Sequence, residues 1–527
     1  MKKQIIKLTC FILVLAVIIG ICLYYSSQKS GMFIDEIYSY GLSNGYYAPF
    51  LTYLKEDGLV DVTLTRDDLL SYIETDETDR FALDSVYYNQ TQDVHPPLFY
   101  WLLNFASSLV PNTFSMWIGL ILNLVIYTAT LIMLWLLSIR LFSNWKLALS
   151  AVLLYGLSNV GLSTMLMIRM YCLLTFLTVT LAYWFVRLYQ QQDRRLYWAI
   201  ATTILLGMLT QYYYVFYAFF LCGLFLLYNL LLKKWKDVLL LIVSGFGAIA
   251  VFLIIWPAVI THLSRDALVS GGNAVDNLTN VSQYAQKFWV YINSSFLGLR
   301  TPVKLSLLSC VLLIALVPLW VKRWRNVEID WKPLLVILPS FIAFITVVII
   351  SPVKVLRYVY NIMPLFVIAC TYLLYLILRL FSFARFSKWI EWLMPALCLL
   401  WMLTSITTPD FLGKEHKALR EELDPYTAYP CVYFTDNNWT MMTQDLMELT
   451  LFDEVFATND PDSPALAQYL EVERPAETVV VYVDTDEYWS SGFDAQQFTT
   501  IMIQKYGFTQ KELLYAYGGS EAWKLIR

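Results

Sequence analysis

Apolar runs of about 16 to 24 residues recur along the first four hundred positions, broken by short polar stretches. A helix rises 1.5 Å per residue, so about 20 apolar residues cross a hydrocarbon core of roughly 30 Å. The runs near 8–25, 115–138, 147–166, 172–187, 196–212, 214–232, 238–257, 303–321, 333–351, 359–380 and 390–408 each predict a crossing, about eleven in all. "LFYWLLNFASSLV" (98–110) is too short to cross and reads as an interfacial or re-entrant helix. From 409 the pattern changes: residues 409–527 are polar and hold no span. Within them "CVYFTD" and "TVVVYVDTD" predict short buried strands, while "MTQDLMELTLF" and "AQQFTTIMIQKYG" carry helical spacing. The expected architecture is an α-helical polytopic membrane protein over 1–408, with interfacial helices, and a small α/β domain over 409–527.

Composition agrees with that class. Of 527 residues 58% are hydrophobic and only 15% are charged, against about 25% in an average soluble protein; the mean hydropathy is +0.56. A soluble globule is excluded. Seven of the eight cysteines lie in or beside apolar runs and no C-x-x-C pair occurs, which speaks against a disulfide framework or a cysteine-built metal site. The N-terminal run has no A-x-A site after it and reads as an uncleaved first span.

Lysine and arginine orient the spans, because they accumulate in cytoplasmic loops. Lys2, Lys3 and Lys7 put the N-terminus inside, and "RLYQQQDRR", "KKWK", "KRWR" and "RFSK" fall where inner loops are needed. The first outer loop, 26–96, then holds thirteen acids against four bases, and the 409–527 domain is extracytoplasmic. The protein is expected in the plasma membrane, multi-pass, with a cytoplasmic N-terminus.

With the faces assigned, a set of polar residues stands out on the outer side. Asp35 and Glu36 follow the first span in "MFIDEIYSYG", Asp93 and His95 lie in "DVHPPLFYW", Arg169 and Tyr171 in "MIRMY", and Arg357 and Tyr358 in "KVLRYVYNIMPL". Cations at outer loop ends (Arg169, Lys354, Arg357) run against the usual bias. An anion at headgroup depth, such as a lipid phosphate, is one reason for them, since arginine recognises phosphate through a fork of donors. Two prolines after His95 fix φ and hold it at the mouth of the next helix. Plainer readings exist. Each arginine can pair with a headgroup or an acid, and the acid pair can merely cap a helix, worth about 0.3–1 kcal/mol. His95, His262 and His416 are too scattered for a metal site.

Taken in order, the acid pair in the first outer loop, "DVHPPL", "R-M-Y" and "R-Y" before a proline-bearing span resemble the C-type glycosyltransferase superfamily over roughly residues 1–400. The branch is that of protein O-mannosyltransferases and aminoarabinose transferase-like enzymes. The resemblance implies transfer of a sugar from a polyprenyl-phosphate carrier to a protein, lipid or glycan acceptor of the cell envelope. It implies Asp35 as catalytic base, Glu36 as an acceptor-side carboxylate, Asp93 and His95 bordering the same cavity, and Arg169 and Arg357 facing the carrier phosphate, with Tyr171 and Tyr358 beside them. No cofactor is called for, a divalent cation stays open, and membrane lipids but no nucleic acid are expected partners. Two positions depart from the pattern: Tyr100 stands where the mannosyltransferases have a lysine, and Met167-Ile168 where relatives often have an acid.

The chemistry fits these residue types on its own terms. A carboxylate can take the acceptor proton, arginines can stabilise the leaving phosphate, and a nearby carboxylate tolerates oxocarbenium character at the sugar. One base and a preformed leaving group point to a single inverting displacement. A transporter or flippase for a lipid-linked substrate would instead place ionisable residues mid-span, and a non-catalytic scaffold relative would have no need of the acid pair.

Overall fold

A computed structural model of the protein describes residues 2–56, 58–263, 281–295, 330–351, 355–381, 387–404, 408–436, 439–487 and 492–527. The expected crossing at 303–321 and Lys354 lie outside the described residues. The chain forms two compact units, one of residues 1–25, 94–99 and 120–410, the other of 26–93, 100–119 and 411–527.

The first unit is helical. Among the described residues six helices are long and apolar enough to cross a membrane: Gln4–Gln28, Met116–Phe142, Tyr171–Gln191, Tyr214–Leu231, Trp235–Ile255 and Leu356–Arg379. Shorter apolar helices cover Arg195–Met208, Leu334–Ile350 and Trp389–Leu403, at positions where crossings were expected; Leu98–Ser107, where an interfacial helix was expected, lies mostly in the second unit. The run 147–166, expected as one crossing, forms two helices, Trp145–Gly156 and Asn159–Leu166, bent by 59° and together long and apolar enough to cross. The cause is local. The Ser158 hydroxyl accepts from the Gly161 amide at 3.0 Å and restarts the helix. A Cβ on Gly161 would collide with the Tyr155 carbonyl and the Tyr127 hydroxyl. Asn159 and Ser163 then tie the second helix to Thr408 and Asp410, at 2.8 and 2.9 Å.

The second unit carries a six-stranded mixed sheet. Its strands are β1 (Val62–Thr65), β2 (Cys431–Phe434), β3 (Glu454–Thr458), β4 (Thr478–Asp484), β5 (Gln510–Tyr517) and β6 (Ser520–Ile526), in the order β1-β3-β2-β4-β6-β5. β2 pairs in parallel with β3 and β4, and the other neighbours are antiparallel. β2 and β4 are buried along their whole length, as central strands covered on both faces must be. Their alternate residues sort to two faces. Val432, Phe434, Val479, Val481 and Val483 join a core with Leu466, Tyr469, Met502 and Tyr506 of the covering helices. The β5–β6 hairpin closes on Gly518 and Gly519, both with positive φ, which is what a tight two-residue turn requires. β1 comes from the polar segment that follows the first apolar helix: Val62 to Thr65 lie against Ala457 to Glu454.

The second face of the sheet is polar and buried. Tyr433 and Tyr482 are register partners with stacked rings 5.7 Å apart. Asp445 accepts from the Tyr433 and Ser520 hydroxyls, each at 2.9 Å, and is 2% exposed. Burial pushes its carboxyl up to about 8, with Glu448 and Asp484 adding to the rise against the two hydroxyls. The folded protein therefore keeps a proton that the unfolded chain, with an ordinary aspartate near 3.9, releases. Stability from this group is complete below about pH 4 and is lost as pH rises toward 8, at no more than about 1.4 kcal/mol per pH unit. Thermal unfolding of the second unit should thus occur at lower temperature at pH 7.5 than at pH 5.5. Asp445→Asn, which does not titrate, should flatten that difference; an unchanged pH slope would show that the proton sits elsewhere.

Candidate active site

The acid pair lies in the second unit, in the first turn of the helix Ile34–Asn44. Glu36 is fully buried. Its Oε2 accepts from Lys29 Nζ at 2.9 Å and from the Phe33 amide at 2.8 Å, so it both forms an ion pair and caps the helix. Lys29 also donates to the Phe411 carbonyl. The next residue, Ser30, donates its amide to Leu412 O at 2.8 Å and its hydroxyl to Gly413 O at 2.9 Å. Asp35, one residue before Glu36, is half-buried, and its carbonyl accepts from Ser39 Oγ at 2.9 Å. The capping role that sequence alone allowed for the pair is thus filled by Glu36.

The helix Leu83–Gln92 packs against the acid helix. Asn89 donates to Leu42 O at 3.4 Å and Gly45 O at 2.7 Å, and Ser85 to Gly45 O at 3.3 Å. These bonds join the second helix to the C-terminal end of the acid helix, and Asp93 follows at the end of the second helix. Asp93 is half-buried.

The remaining predicted residues belong to the first unit. His95, half-buried, sits in the bend before Pro96-Pro97, and the following helix opens at Leu98, whose amide donates to Leu209 O at 3.0 Å. Arg169 and Tyr171 are 5% and 2% exposed. Their turn is held from the neighbouring helix by Asn123, whose amide donates to Met165 O at 3.0 Å and Met167 O at 2.7 Å and so satisfies carbonyls that the helix end leaves open. Arg357 and Tyr358 are half-buried in the 3-10 turn Leu356–Ile362, with the guanidinium 5.9 Å from the Tyr358 ring centre. That turn packs against the helices Asn159–Leu166 and Tyr171–Gln191, which flank Arg169. Tyr171 and Tyr360 meet edge to face at 6.3 Å, and Asn361 donates to Thr178 Oγ1 at 3.2 Å. Two arginine–aromatic segments almost two hundred residues apart are thereby carried on adjoining elements.

Sequence reasoning missed several polar residues around these. Lys29 meets the same criterion as the arginines, a cation at the expected outer end of a span, but in the charge balance of residues 26–96 it is merely one more base. Asn123 gave no signal within an apolar run. Lys287, 2% exposed, donates to Ile349 O at 3.1 Å and Ser351 O at 3.3 Å at the end of the helix Leu334–Ile350. His262 Nδ1 shares a hydrogen bond with the Tyr212 hydroxyl at 2.8 Å, which also accepts from Trp256. Among the described residues no group of His, Cys, Asp and Glu is arranged to hold a metal ion.

Residues 94–256, just under a third of the chain, match the family described as dolichyl-phosphate-mannose-protein mannosyltransferase. The match begins at the "HPPL" turn, takes in "MIRMY", and bears out the resemblance to C-type membrane glycosyltransferases that use a lipid-linked sugar. Among solved structures, ArnT from Cupriavidus metallidurans bound to undecaprenyl phosphate is similar at 10% identity, with a TM-score of 0.50 and 97% of both chains covered. Its apo form gives 9% identity and a TM-score of 0.48 over 97% of both chains. At such identity the likeness to the bound form speaks for the fold, which is that of a multi-pass membrane protein. Curated protein sequences give no match.

Proposed function

We propose that the protein moves a sugar from a polyprenyl-phosphate carrier to an acceptor hydroxyl at the outer face of the plasma membrane, inverting the anomeric carbon. Asp35 takes the proton as the acceptor oxygen bonds to the anomeric carbon. The bond from that carbon to the phosphate oxygen breaks, and the carrier phosphate leaves toward Arg169 and Arg357. Asp93, His95, Tyr171 and Tyr358 border the reacting groups, and Glu36, buried in its ion pair with Lys29, holds the helical turn that carries Asp35. The observation that carries this reading is the packing of the Arg357 turn against the helices flanking Arg169. Two forked cations on adjoining elements suit a phosphate monoanion better than scattered headgroup contacts do. ArnT bound to undecaprenyl phosphate supports a carrier of that chemistry, and the acceptor is a hydroxyl of a protein, lipid or glycan.

Two experiments test it. Purified protein in detergent, given lipid-linked sugars extracted from membranes together with membrane acceptors, should release polyprenyl phosphate. Carrier binding without release would favour a transporter or scaffold. Reporter fusions near residues 235 and 460 should give opposite signals, with Lys233-Lys234 inside and the C-terminal region outside. Matching signals would overturn the orientation and, with it, the placement of Asp35.

A further inference from the structure

Why should a lysine be buried completely at the entry to the acid helix? Lys29 and Glu36 are both fully inaccessible. A buried ion pair is seldom the most stabilising way to fill a core, because both charges lose their hydration, but it is directional where an apolar pair is not. Here the direction is set from the far end of the chain. Residues 411–413 accept three hydrogen bonds from Lys29 and Ser30, and the Phe33 and Phe411 rings meet edge to face at 5.7 Å. Gly31 lies so close to the His416 ring that no Cβ fits there. Tyr38, two residues past Glu36, hydrogen-bonds Thr440 and Thr443, and the helix Trp439–Gln444 packs along the acid helix. The start of the acid helix is therefore gripped on several sides by the C-terminal region, with Lys29 at the centre of the grip.

We infer that Lys29 is a positioning residue for transfer: held between the Glu36 carboxylate and the Phe411 carbonyl, it fixes the first helical turn and so the direction in which Asp35 presents its carboxylate. The inference rests on the proposed role of Asp35. It also gives the C-terminal region a task, that of holding the base. Lys29 meets no reacting atom; it acts through Glu36.

The test is a kinetic cycle on the full-length protein in detergent, using lipid-linked sugar extracted from membranes as donor and undecaprenyl phosphate as the binding probe. Lys29→Met should lower kcat about ten- to a hundred-fold, the scale of a misdirected reacting group, and leave KM and undecaprenyl phosphate binding within about two-fold. Glu36→Gln should do the same. The double variant should be no slower than the worse single, because both changes break one device. Lys29→Arg, which keeps the cation, should recover most of kcat, and it carries the test where Lys29→Met yields too little folded protein. Unchanged kcat in the folded fraction of Lys29→Met, losses that multiply in the double variant, or an Arg variant as slow as the Met variant would each overturn the inference. Asp35→Asn is measured alongside. If it abolishes transfer while Lys29→Met does not slow it, only the positioning role fails; if Asp35→Asn still transfers, the reading of the base fails first.

Discussion

Asp35→Asn should leave the protein folded and inserted and cut sugar transfer by on the order of 10²–10⁴-fold, the usual cost of losing a general base. The structure explains why the fold should survive. Asp35 is half-buried in the first turn of its helix, and the side chain that caps the turn and carries the buried ion pair is Glu36. Asparagine is accepted near helix N-termini, where the lost charge–dipole contribution is about 0.3–1 kcal/mol. Its amide cannot take a proton from the acceptor. Release of polyprenyl phosphate by the purified variant is the measurement, with thermal unfolding as the control for folding. Undiminished release would remove Asp35 as base and most of the mechanism with it. Glu36→Gln should be milder on transfer yet harsher on stability, since it leaves Lys29 buried without its counter-charge, a defect of about 3–5 kcal/mol.

The second large effect is expected at the arginines. Arg169→Lys and Arg357→Lys keep the charge but replace a planar fork by a single ammonium. A charge-assisted hydrogen bond is worth about 1.5–3 kcal/mol, so each variant should bind undecaprenyl phosphate about ten- to a hundred-fold more weakly and use donor correspondingly less well. Arg169 should suffer more, because at 5% exposure a lysine ammonium has little water to make up for lost partners. Wild-type carrier affinity in both variants would end the phosphate assignment while leaving Asp35 untouched.

Much of the fold is legible in the amino-acid sequence alone, as are the residues proposed for the site. Hydropathy finds the apolar helices, and the positive-inside pattern singles out Arg169 and Arg357 as cations in need of a reason. What hydropathy does not register is conformation inside an apolar run. The break at Leu157–Ser158 is written in hydrogen bonds of Ser158 and in the missing side chain of Gly161, and neither alters the mean polarity of the window. The buried strands β2 and β4 announce themselves by continuous apolar character. The β5–β6 hairpin has a signal, the Gly518-Gly519 pair, that can be read as a tight turn. β1 is different in kind. "VTLT" alternates like a strand, but its partner lies almost four hundred residues away, and a four-residue edge strand carries no pattern that names its neighbour. Lys29 hides for a similar reason: its partner Glu36 is near in sequence, but Phe411 is not.

That edge strand also has a consequence for how the protein is made. Val62 to Thr65 leave the ribosome long before Glu454 to Thr458, the strand they pair with. At synthesis rates of about 5–20 residues per second the wait is roughly 20 to 80 s, during which residues 26–96 stand with their sheet unbuilt. Closing a loop of that length is entropically slow and leaves unpaired backbone exposed meanwhile. The assembly of the acid helix onto residues 411–413 is tied to the same late event. Biogenesis thus acts as a timer: a chain cut short before residue 411 carries every residue proposed for the chemistry, yet has nothing to grip the start of the acid helix.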